Sequence, residues 1–422
     1  MSYWFTDPVL KNLFPLAFSS SIRGLSSNYS MPNLVVGPNA FPEGIALGGS
    51  IVDTLGARCG NKRAYIVTDE HGERYAKRVS QAFERGGFTT EIWNNAQPEA
   101  PLDNVKESAE LMTKFEPDLI VAVGGGSVID GAKAAWIIYE RPDITDLETL
   151  SPLAPLNLRK KAILAAVPTT SGTGSECTGV TVVHDMEEHR KVPIVSPELL
   201  PDYAILVPEF TFSLPPKLTA GTGLDALAHA VDAVMCTAQN DFSDALGLKA
   251  IEMIFKYLPR AFQNGQDREA RHRMLLAASM AGIAFGQNST TLSHSFGHSV
   301  GAIFNIHHGL ICGLYIPYSL QFYRTVTEKH LEICKALDLK RDPPEQGLAE
   351  LVAAIRNLLT ELEVPLSLKD LGISESDFEN NLDDLALFAL EDVSTFSSPR
   401  PMIMSECKQI LRYSYDGKDI DF

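Results

Sequence analysis

Four of the ten histidines in this chain fall within fifteen consecutive residues, a concentration that predicts a metal site. They are His294, His298, His307 and His308. The stretch Asp225-Ala-Leu-Ala-His229 precedes them by some 65 residues. Residues four apart on a helix lie on one face, about a turn apart, so Asp225 and His229 form one such pair and His294 and His298 another. Two helices of this kind could direct their ligands at a single ion.

Each histidine taken singly also fits an ordinary helix residue that is solvated or hydrogen-bonded in the core. The clustering weakens this alternative. Asp225 and His229 stand among small and apolar residues in the stretch 221–230, so we expect the carboxylate and the imidazole to be buried together. Buried ionisable groups must be paired or bound to a metal.

A second kind of chemistry is indicated by Gly124-Gly125-Gly126-Ser127, which follows the apolar run 118–123 and leads into a helical pattern through Asp130 and Lys133. Glycines let the backbone approach a pyrophosphate, and the amides at a helix start supply donors. The order is that of a dinucleotide site, although the third glycine of a G-x-G-x-x-G pattern is missing. A structural turn is the alternative.

The loop from Pro168 to Glu176 follows the next apolar run, and seven of its nine residues are glycine or carry a hydroxyl. These residues offer donors to phosphate and ribose at a strand end, where ligands bind in open α/β sheets. Alone the loop also fits a polar turn with a helix cap. Two such loops after successive strands favour a nucleotide.

Asp69 ends another apolar run, and its carboxylate is placed to accept hydrogen bonds from an adenosine ribose and to repel a 2′-phosphate. This interpretation favours NAD over NADP. The alternative is a turn aspartate that caps the helix starting near Glu73.

Length and composition bound the class of protein. At 422 residues two domains are expected, and 45% hydrophobic with 21% charged residues is typical of a globular protein. The formal net charge of -17 argues against nucleic-acid and anionic-membrane partners. The six cysteines form no CxxC pair, so neither a disulfide framework nor a thiolate zinc site is predicted. No secretory signal or membrane-spanning stretch is visible, and a reducing cytoplasm is expected.

The elements that must position these residues are short apolar runs and helical stretches, which alternate from about residue 31 to residue 212. Buried parallel strands are predicted within the runs 63–69, 118–124, 162–168 and 203–208, with helices such as 73–87 and 104–115 between them. Prolines interrupt the pattern near residues 208–214, and residues 213–422 have the texture of consecutive helices. We therefore predict an extension (1–30), a Rossmann-like α/β dinucleotide-binding domain (31–212) and an all-α metal-binding domain (213–422).

Five stretches of this chain resemble, in order, motifs of the iron-containing (group III) alcohol dehydrogenases, within the superfamily that also holds glycerol dehydrogenase and dehydroquinate synthase. They are Gly124–Lys133, Pro168–Glu176, Lys191–Pro201, Gly223–Ala230 and His294–Gly309. The resemblance runs from about residue 31 to the segment 397–401. Several long motifs in the same order are far more specific than a lone glycine turn.

The resemblance implies a ligand set of Asp225, His229, His294 and His308. His308 is favoured over His307 because the family's last ligand directly precedes a glycine and lies fourteen residues after the third. His298 matches a histidine beside the nicotinamide that usually does not bind the metal. The resemblance also implies a set of nucleotide contacts. These are Gly124, Gly125, Gly126, Ser127 and Asp130 in the pyrophosphate motif, Thr169, Thr170, Thr173 and Thr178 at the ribose and nicotinamide, and Lys191 on the nicotinamide side.

Three departures from the family pattern leave the ligands intact. They are Val207-Pro208 in place of Asp-Pro, Asp232 in place of the Glu three residues beyond the second ligand, and Ser398-Pro-Arg400 in place of Asn-Pro-Arg. These departures concern the subgroup of the family, defined by its substrate, in which the chain would fall.

The expected activity is that of a metal-dependent, NAD(P)-linked alcohol dehydrogenase. A metal would hold the oxygen of a primary alcohol or diol while hydride passes to the nicotinamide and an aldehyde forms. Three imidazoles and one carboxylate suit Fe(II), with Zn(II) as the alternative. His298 would pass the proton to solvent. The expected partners are a small alcohol or aldehyde and, from the resemblance, a second copy of the chain in a homodimer or larger assembly.

Three other functions stay open on the sequence. A hydroxyacid-oxoacid transhydrogenase, or another hydroxy- or oxo-acid reductase of the same family, would share the motifs. A sugar-phosphate cyclising lyase needs clustered Lys and Arg, which the stretch 294–313 lacks. A non-catalytic descendant should have lost ligands, and all four are present.

Overall fold

The computed structural model describes residues 29–38, 40–41, 50–186, 190–238 and 240–422. The predicted extension (1–30) lies almost wholly outside the described residues. The described chain divides into two compact units, 29–213 and 214–422. The first is α/β and the second is helical, which confirms the predicted fold class.

Six parallel strands form the sheet of the first unit, in the order β1-β8-β5-β4-β2-β3. They are β1 (Asn33–Val36), β2 (Arg63–Val67), β3 (Thr89–Trp93), β4 (Leu119–Gly124), β5 (Ile163–Pro168) and β8 (Tyr203–Leu206). Residues of β4 and β8 are buried throughout, as parallel strands covered on both faces should be. A separate antiparallel hairpin, which the sequence did not predict, consists of β6 (Val180–Asp185) and β7 (Arg190–Val195).

Helices connect the strands of this unit. They are α1 (Ile51–Arg58), α2 (Glu73–Arg85), α3 (Leu102–Phe115) and α4 (Gly126–Glu140). Helix α2 buries Ala76, Val79 and Phe83 at helical spacing, so it packs one apolar stripe into the core. Helix α4 buries most of its residues and follows β4 directly.

The register of the sheet brings the two polar loops together. Gly124, the last residue of β4, pairs with Pro168, the last residue of β5. The backbone amide of Thr169 then donates to the Gly124 carbonyl oxygen at 2.9 Å. Because both strands run parallel and end level, the glycine loop and the hydroxyl-rich loop begin side by side at one edge of the sheet.

The described part of the second unit contains nine α-helices. They are α5 (Pro216–Met235), α6 (Asp241–Gln263), α7 (Arg268–Gln287), α8 (Leu292–Phe304), α9 (His308–Tyr323), α10 (His330–Ala336), α11 (Pro344–Glu361), α12 (Glu375–Glu391) and α13 (Met404–Asp416). Helix α5 is buried from Thr219 to Met235 and packs against α6, α7 and α9. A helix that is buried all round lies at the centre of its bundle, so polar side chains on it must find partners there.

We find no helix, within the part of the chain that the structure describes, with the length and hydropathy needed to cross a bilayer.

Candidate metal and nucleotide sites

Four side chains of the helical unit converge on one point. Asp225, His294, His308 and Cys312 each place one donor atom so that all four atoms lie within 4.8 Å of one another. Asp225 Oδ1 is 3.4 Å from His308 Nε2 and 3.8 Å from His294 Nε2. The side chains of Asp225 and His294 are only 4% and 2% exposed, so this carboxylate and this imidazole have been removed from water.

Three helices supply these donors. Asp225 lies on the buried helix α5, and His294 lies in the first turn of α8. Asn305 ends α8 in a left-handed conformation with φ 50°, and the chain turns directly into α9, which begins at His308. Cys312 lies four residues further on α9 and therefore on the same face as His308.

The donor set fits a divalent metal. His294 Nε2 is buried and has no hydrogen-bond partner among the described residues. A nitrogen without a partner beside a buried carboxylate oxygen would cost free energy unless a cation lay between them. Imidazole, carboxylate and thiolate donors together are those that zinc and iron accept.

The buried carboxylate of Asp232, on α5, orients His294. Asp232 Oδ2 accepts hydrogen bonds from His294 Nδ1 at 2.7 Å, from Ser293 Oγ at 2.7 Å and from the Thr291 amide at 2.8 Å. Burial lowers the pKa of His294, but the hydrogen bond and charge of Asp232 outweigh it, so the pKa lies above its ordinary value. With its proton held on Nδ1, His294 has a lone pair on Nε2 for a metal.

His229 lies one turn beyond Asp225 and borders the donor group. Its Nδ1 is 4.0 Å from Asp225 Oδ2, and its ring stacks on Phe285 at a centroid distance of 4.1 Å and on His294 at 4.4 Å. Its ring nitrogens are not among the four mutually close donors. The assignment of His229 as a ligand stays a prediction.

His298 belongs to a different arrangement. Its Nδ1 is hydrogen-bonded to Asp392 Oδ2 at 2.8 Å, and its ring stacks on His308 at a centroid distance of 5.0 Å. Burial raises the pKa of Asp392, but the charge and hydrogen bond of His298 outweigh it, so the pKa lies below the usual value. A carboxylate on Nδ1 fixes the ring and leaves Nε2 for proton exchange.

Sequence reasoning missed Cys312 and Asp392. The signal for Cys312 was its spacing of four from His308, the same spacing that drew attention to the histidine pairs. No comparable signal existed for Asp392, which lies 94 residues beyond His298 and reaches it only through the tertiary fold.

Gly309, which directly follows His308, lies where α9 approaches α5 closely, so there is no room for a side chain at this position. A Cβ there would overlap the carbonyl oxygen of Gly221 and lie 2.5 Å from the Cβ of Asp225. We expect Gly309→Ala to push α9 away from α5, to lower the free energy of unfolding by about 1–3 kcal/mol and to weaken metal binding. Chemical denaturation and metal analysis would measure both effects.

Gly56→Ala on α1 is the matched control for this substitution, because the nearest atom to its added Cβ would lie at 3.5 Å, an ordinary contact. It should be neutral or slightly stabilising. Equal stability of Gly309→Ala and Gly56→Ala would contradict the close approach of α5 and α9.

The two loops of the first unit contact each other where the nucleotide is predicted. A Cβ on Gly126 would lie 2.6 Å from Thr173 Cγ2, and one on Gly125 would lie 3.2 Å from Thr170 Cγ2. Glycine is therefore needed at Gly126 for the loops to pack. Gly126 also begins α4, so unpaired backbone amides of its first turn lie at this edge of the sheet.

Several predicted nucleotide contacts also hold the scaffold together. Ser127 Oγ accepts from the Glu99 amide at 3.0 Å, and Asp130 Oδ2 accepts from the Val182 amide at 3.0 Å. Lys191 Nζ pairs with Glu99 Oε1 at 2.8 Å. Their roles towards a nucleotide stay predictions.

Lys133 is buried beneath the hydroxyl-rich loop. Its Nζ donates to the carbonyl oxygens of Thr178 and Val180, both at 2.7 Å. Burial lowers the pKa of Lys133 to about 8, although Asp130 and Glu176 act to raise it. Lys133 thereby ties α4 to the segment that carries Thr178.

Asp69 follows β2 at the same sheet edge. Its Oδ1 accepts from the Gly72 amide at 2.6 Å, which is the capping role considered from the sequence. Thr68 beside it donates to the Val123 carbonyl oxygen at 2.7 Å, next to the glycine loop. The capping bond occupies one carboxylate oxygen, so capping and ribose recognition are compatible.

Comparison with known proteins covers both units. Residues 42–208 match the family of iron-containing alcohol dehydrogenases. Residues 219–415 match the C-terminal part of the Fe-containing alcohol dehydrogenase family. An NADPH-dependent butanol dehydrogenase of Clostridium saccharobutylicum is 35% identical over 90% of this chain and 99% of its own. A NAD-dependent methanol dehydrogenase of Bacillus methanolicus is 31% identical over 88% and 98%. The structure of an alcohol dehydrogenase from Oenococcus oeni, 28% identical, superposes with a TM-score of 0.82 over 92% of this chain and 100% of that one.

Proposed function

Because this chain belongs to the iron-containing alcohol dehydrogenase family, we propose that it interconverts a primary alcohol or diol and its aldehyde, with a nicotinamide nucleotide as hydride carrier. It is an oxidoreductase that acts on CH–OH groups. The observation that carries the proposal is the convergence of the buried Asp225 and His294 with the half-buried His308. A descendant without activity would have no reason to keep this costly arrangement of ionisable groups.

Asp225, His294 and His308 would hold the metal in this proposal, and His229, whose Nδ1 lies 4.0 Å from Asp225 Oδ2, would complete the set. When bound, the ion supplies Lewis-acid chemistry at the substrate oxygen. Asp232 keeps the proton of His294 on Nδ1. The family name favours iron, and the same donors accept zinc.

His298, positioned by Asp392, transfers the proton that leaves the alcohol. Oxidation breaks one C–H bond, whose electron pair goes to the nicotinamide, and one O–H bond, whose proton must reach solvent. Asp392 holds Nδ1 of His298 at 2.8 Å, so Nε2 is the atom that accepts and passes on this proton. Asp392 acts only through His298 and is a positioning residue.

The nucleotide we propose is NAD, because Asp69 would repel a 2′-phosphate. Relatives of similar identity differ in the nucleotide they use, since one is NADPH-dependent and another NAD-dependent. The choice of NAD for this chain therefore depends on the Asp69 carboxylate. In Asp69→Ser the hydroxyl can still cap α2, while the charge is lost. We expect the ratio of kcat/KM for NADP to that for NAD to rise by roughly 10- to 1,000-fold, the range that a like-charge repulsion of about 1–4 kcal/mol spans.

Glu70→Ser is the matched control for Asp69→Ser, because it removes a neighbouring carboxylate that is 83% exposed. Its nucleotide ratio should stay near that of the wild type. A wild-type preference for NADP, or an equal change in both variants, would count against Asp69 as the selecting residue.

Anaerobic NADH formation from a panel of primary alcohols and diols tests the proposed activity. Apoprotein would be reconstituted separately with Fe(II) and Zn(II). Metal-dependent turnover of any alcohol supports the proposal and identifies the ion. A transhydrogenase would give a different result. It would form no NADH with any alcohol of the panel although the nucleotide is bound, and its turnover would require a second oxo-acid.

We also propose a homodimer or larger assembly in a reducing cytoplasm. The six cysteines, all in the described part of the chain, are buried thiols and not disulfides, which suits that compartment. Light scattering after size-exclusion chromatography would measure the assembly.

A further inference from the structure

We propose that Thr395 is a positioning residue of the proton-transfer step, whose hydroxyl holds Asp392 against His298. The inference rests on the proposed function and extends it to a residue beyond those that act on the substrate. Asp392 caps the C-terminus of α12, and His298 lies on α8, so the 2.8 Å bond between Asp392 Oδ2 and His298 Nδ1 joins two separate helices. Hydrogen bonds weaken steeply when their atoms are displaced, so the alignment of the two helices at this point decides the strength of the bond.

The hydroxyl of Thr395 fixes this alignment. Thr395 Oγ1 lies 2.7 Å from Ser295 Oγ, on α8, and 2.6 Å from the carbonyl oxygen of Ala389, on α12. Ala389 and Thr395 stand three residues before and three residues after Asp392, so the hydroxyl closes the chain around this carboxylate. Ser295 likewise stands three residues before His298. The bond between the two hydroxyls therefore runs alongside the bond between the carboxylate and the imidazole.

Burial makes this arrangement specific. Ser295 is fully buried, and a buried hydroxyl is costly to leave without a partner. Asp392 Oδ1 accepts from the Ser394 amide at 2.8 Å, so both carboxylate oxygens are engaged. Because the carboxylate is fixed from within the turn Val393–Ser397, a shift of that turn relative to α8 would carry it away from His298.

Thr395 would act through Asp392 and not on the substrate. Removing its hydroxyl should therefore slow proton transfer while the metal and the nucleotide still bind. We expect Thr395→Val, which keeps the shape of the side chain, to lower kcat by roughly 10- to 100-fold, since a misplacement of about 1 Å can have an effect of this size. Metal content and the KM for the nucleotide should change little. Thr395→Ser, which restores the hydroxyl, should recover most of the wild-type kcat.

A double-mutant cycle separates positioning from a purely structural role. If Thr395 acts through Asp392, Thr395→Val should slow the Asp392→Ala protein by less than about twofold. Equal fold losses in the wild-type and Asp392→Ala backgrounds would overturn the inference, as would an unchanged kcat in Thr395→Val. Ser295→Ala removes the same bond from α8, and it replaces Thr395→Val if circular dichroism shows that variant to be unfolded.

Thr211→Val is the matched control. Thr211 is a fully buried threonine at the end of the short turn Pro208–Thr211 in the first unit, and its hydroxyl donates to the Pro208 carbonyl oxygen at 2.8 Å. The substitution removes the same kind of buried hydrogen bond away from Asp392. It should retain the wild-type kcat.

Nuclear magnetic resonance of the zinc-loaded protein tests the positioning without turnover. The proton on His298 Nδ1 should give a downfield resonance, identified by its loss in Asp392→Ala. We expect Thr395→Val to speed the exchange of this proton with water, and Thr211→Val to leave it unchanged. If wild-type protein formed no NADH but the resonance responded in this way, the proposed function would fail and the positioning of Asp392 by Thr395 would stand. A resonance unaltered in Thr395→Val would overturn the positioning, whatever the activity.

Discussion

Replacing His294 with alanine is expected to remove the metal and to lower kcat/KM by a factor on the order of 10³ or more. The imidazole is 2% exposed, and its Nε2 lies 3.8 Å from Asp225 Oδ1, so no other group can take its place without repacking α8. A Lewis acid contributes several kcal/mol to the transition state, which corresponds to a loss of this size. Metal analysis by mass spectrometry and NADH formation would measure the two effects.

His298→Ala is the informative comparison, because His298 lies on the same helix one turn further. It should retain the metal and slow turnover by about 10²- to 10⁴-fold, the usual contribution of a positioned acid or base. Circular dichroism would check that both variants are folded. Metal retained in His294→Ala, or lost in His298→Ala, would contradict this division of roles.

The central strands could be predicted because buried parallel strands are continuous apolar runs. Strands β2, β4, β5 and β8 all lie inside predicted runs. The edge strands were missed, since β1 and β3 are largely exposed or half-buried and lack such a run. The hairpin of β6 and β7 was also missed, because polar residues such as Thr181, His184 and Lys191 interrupt its apolar residues, so neither strand is a continuous apolar run.

Residue spacing indicated which side chains could bind a metal, but only part of the arrangement in which the structure places them. Spacing suggested two helices with two ligands each, whereas the structure takes one close donor from α5, one from α8 and two from α9. His294 and His298 lie on the same helix but have different partners. His294 is hydrogen-bonded to Asp232, and His298 is hydrogen-bonded to Asp392. Such long-range partners depend on how helices pack, which residue spacing does not encode.

Asp232 is the second position where a large effect is expected. Its two oxygens accept four hydrogen bonds, from the Thr291 amide and hydroxyl, the Ser293 hydroxyl and His294 Nδ1. Asp232→Ala would leave these buried donors without their acceptor and should lower the free energy of unfolding by about 3–5 kcal/mol. Asp232→Asn keeps the shape but loses the charge, so His294 becomes a weaker base and metal affinity should fall about 10- to 100-fold. Chemical denaturation and chelator competition would measure these effects.

Asp232→Glu distinguishes orientation of His294 from simple filling of the core. Glutamate restores the negative charge, and members of the family that this chain resembles commonly carry it here, so its metal affinity should exceed that of Asp232→Asn. Asp384→Asn, which alters an exposed carboxylate of α12, controls for the change in net charge and should affect neither quantity. If Asp232→Asn bound metal as tightly as the wild type, the carboxylate would serve the fold alone, and the tautomer of His294 would have to be fixed by Ser293, whose Oγ lies 3.4 Å from Nδ1.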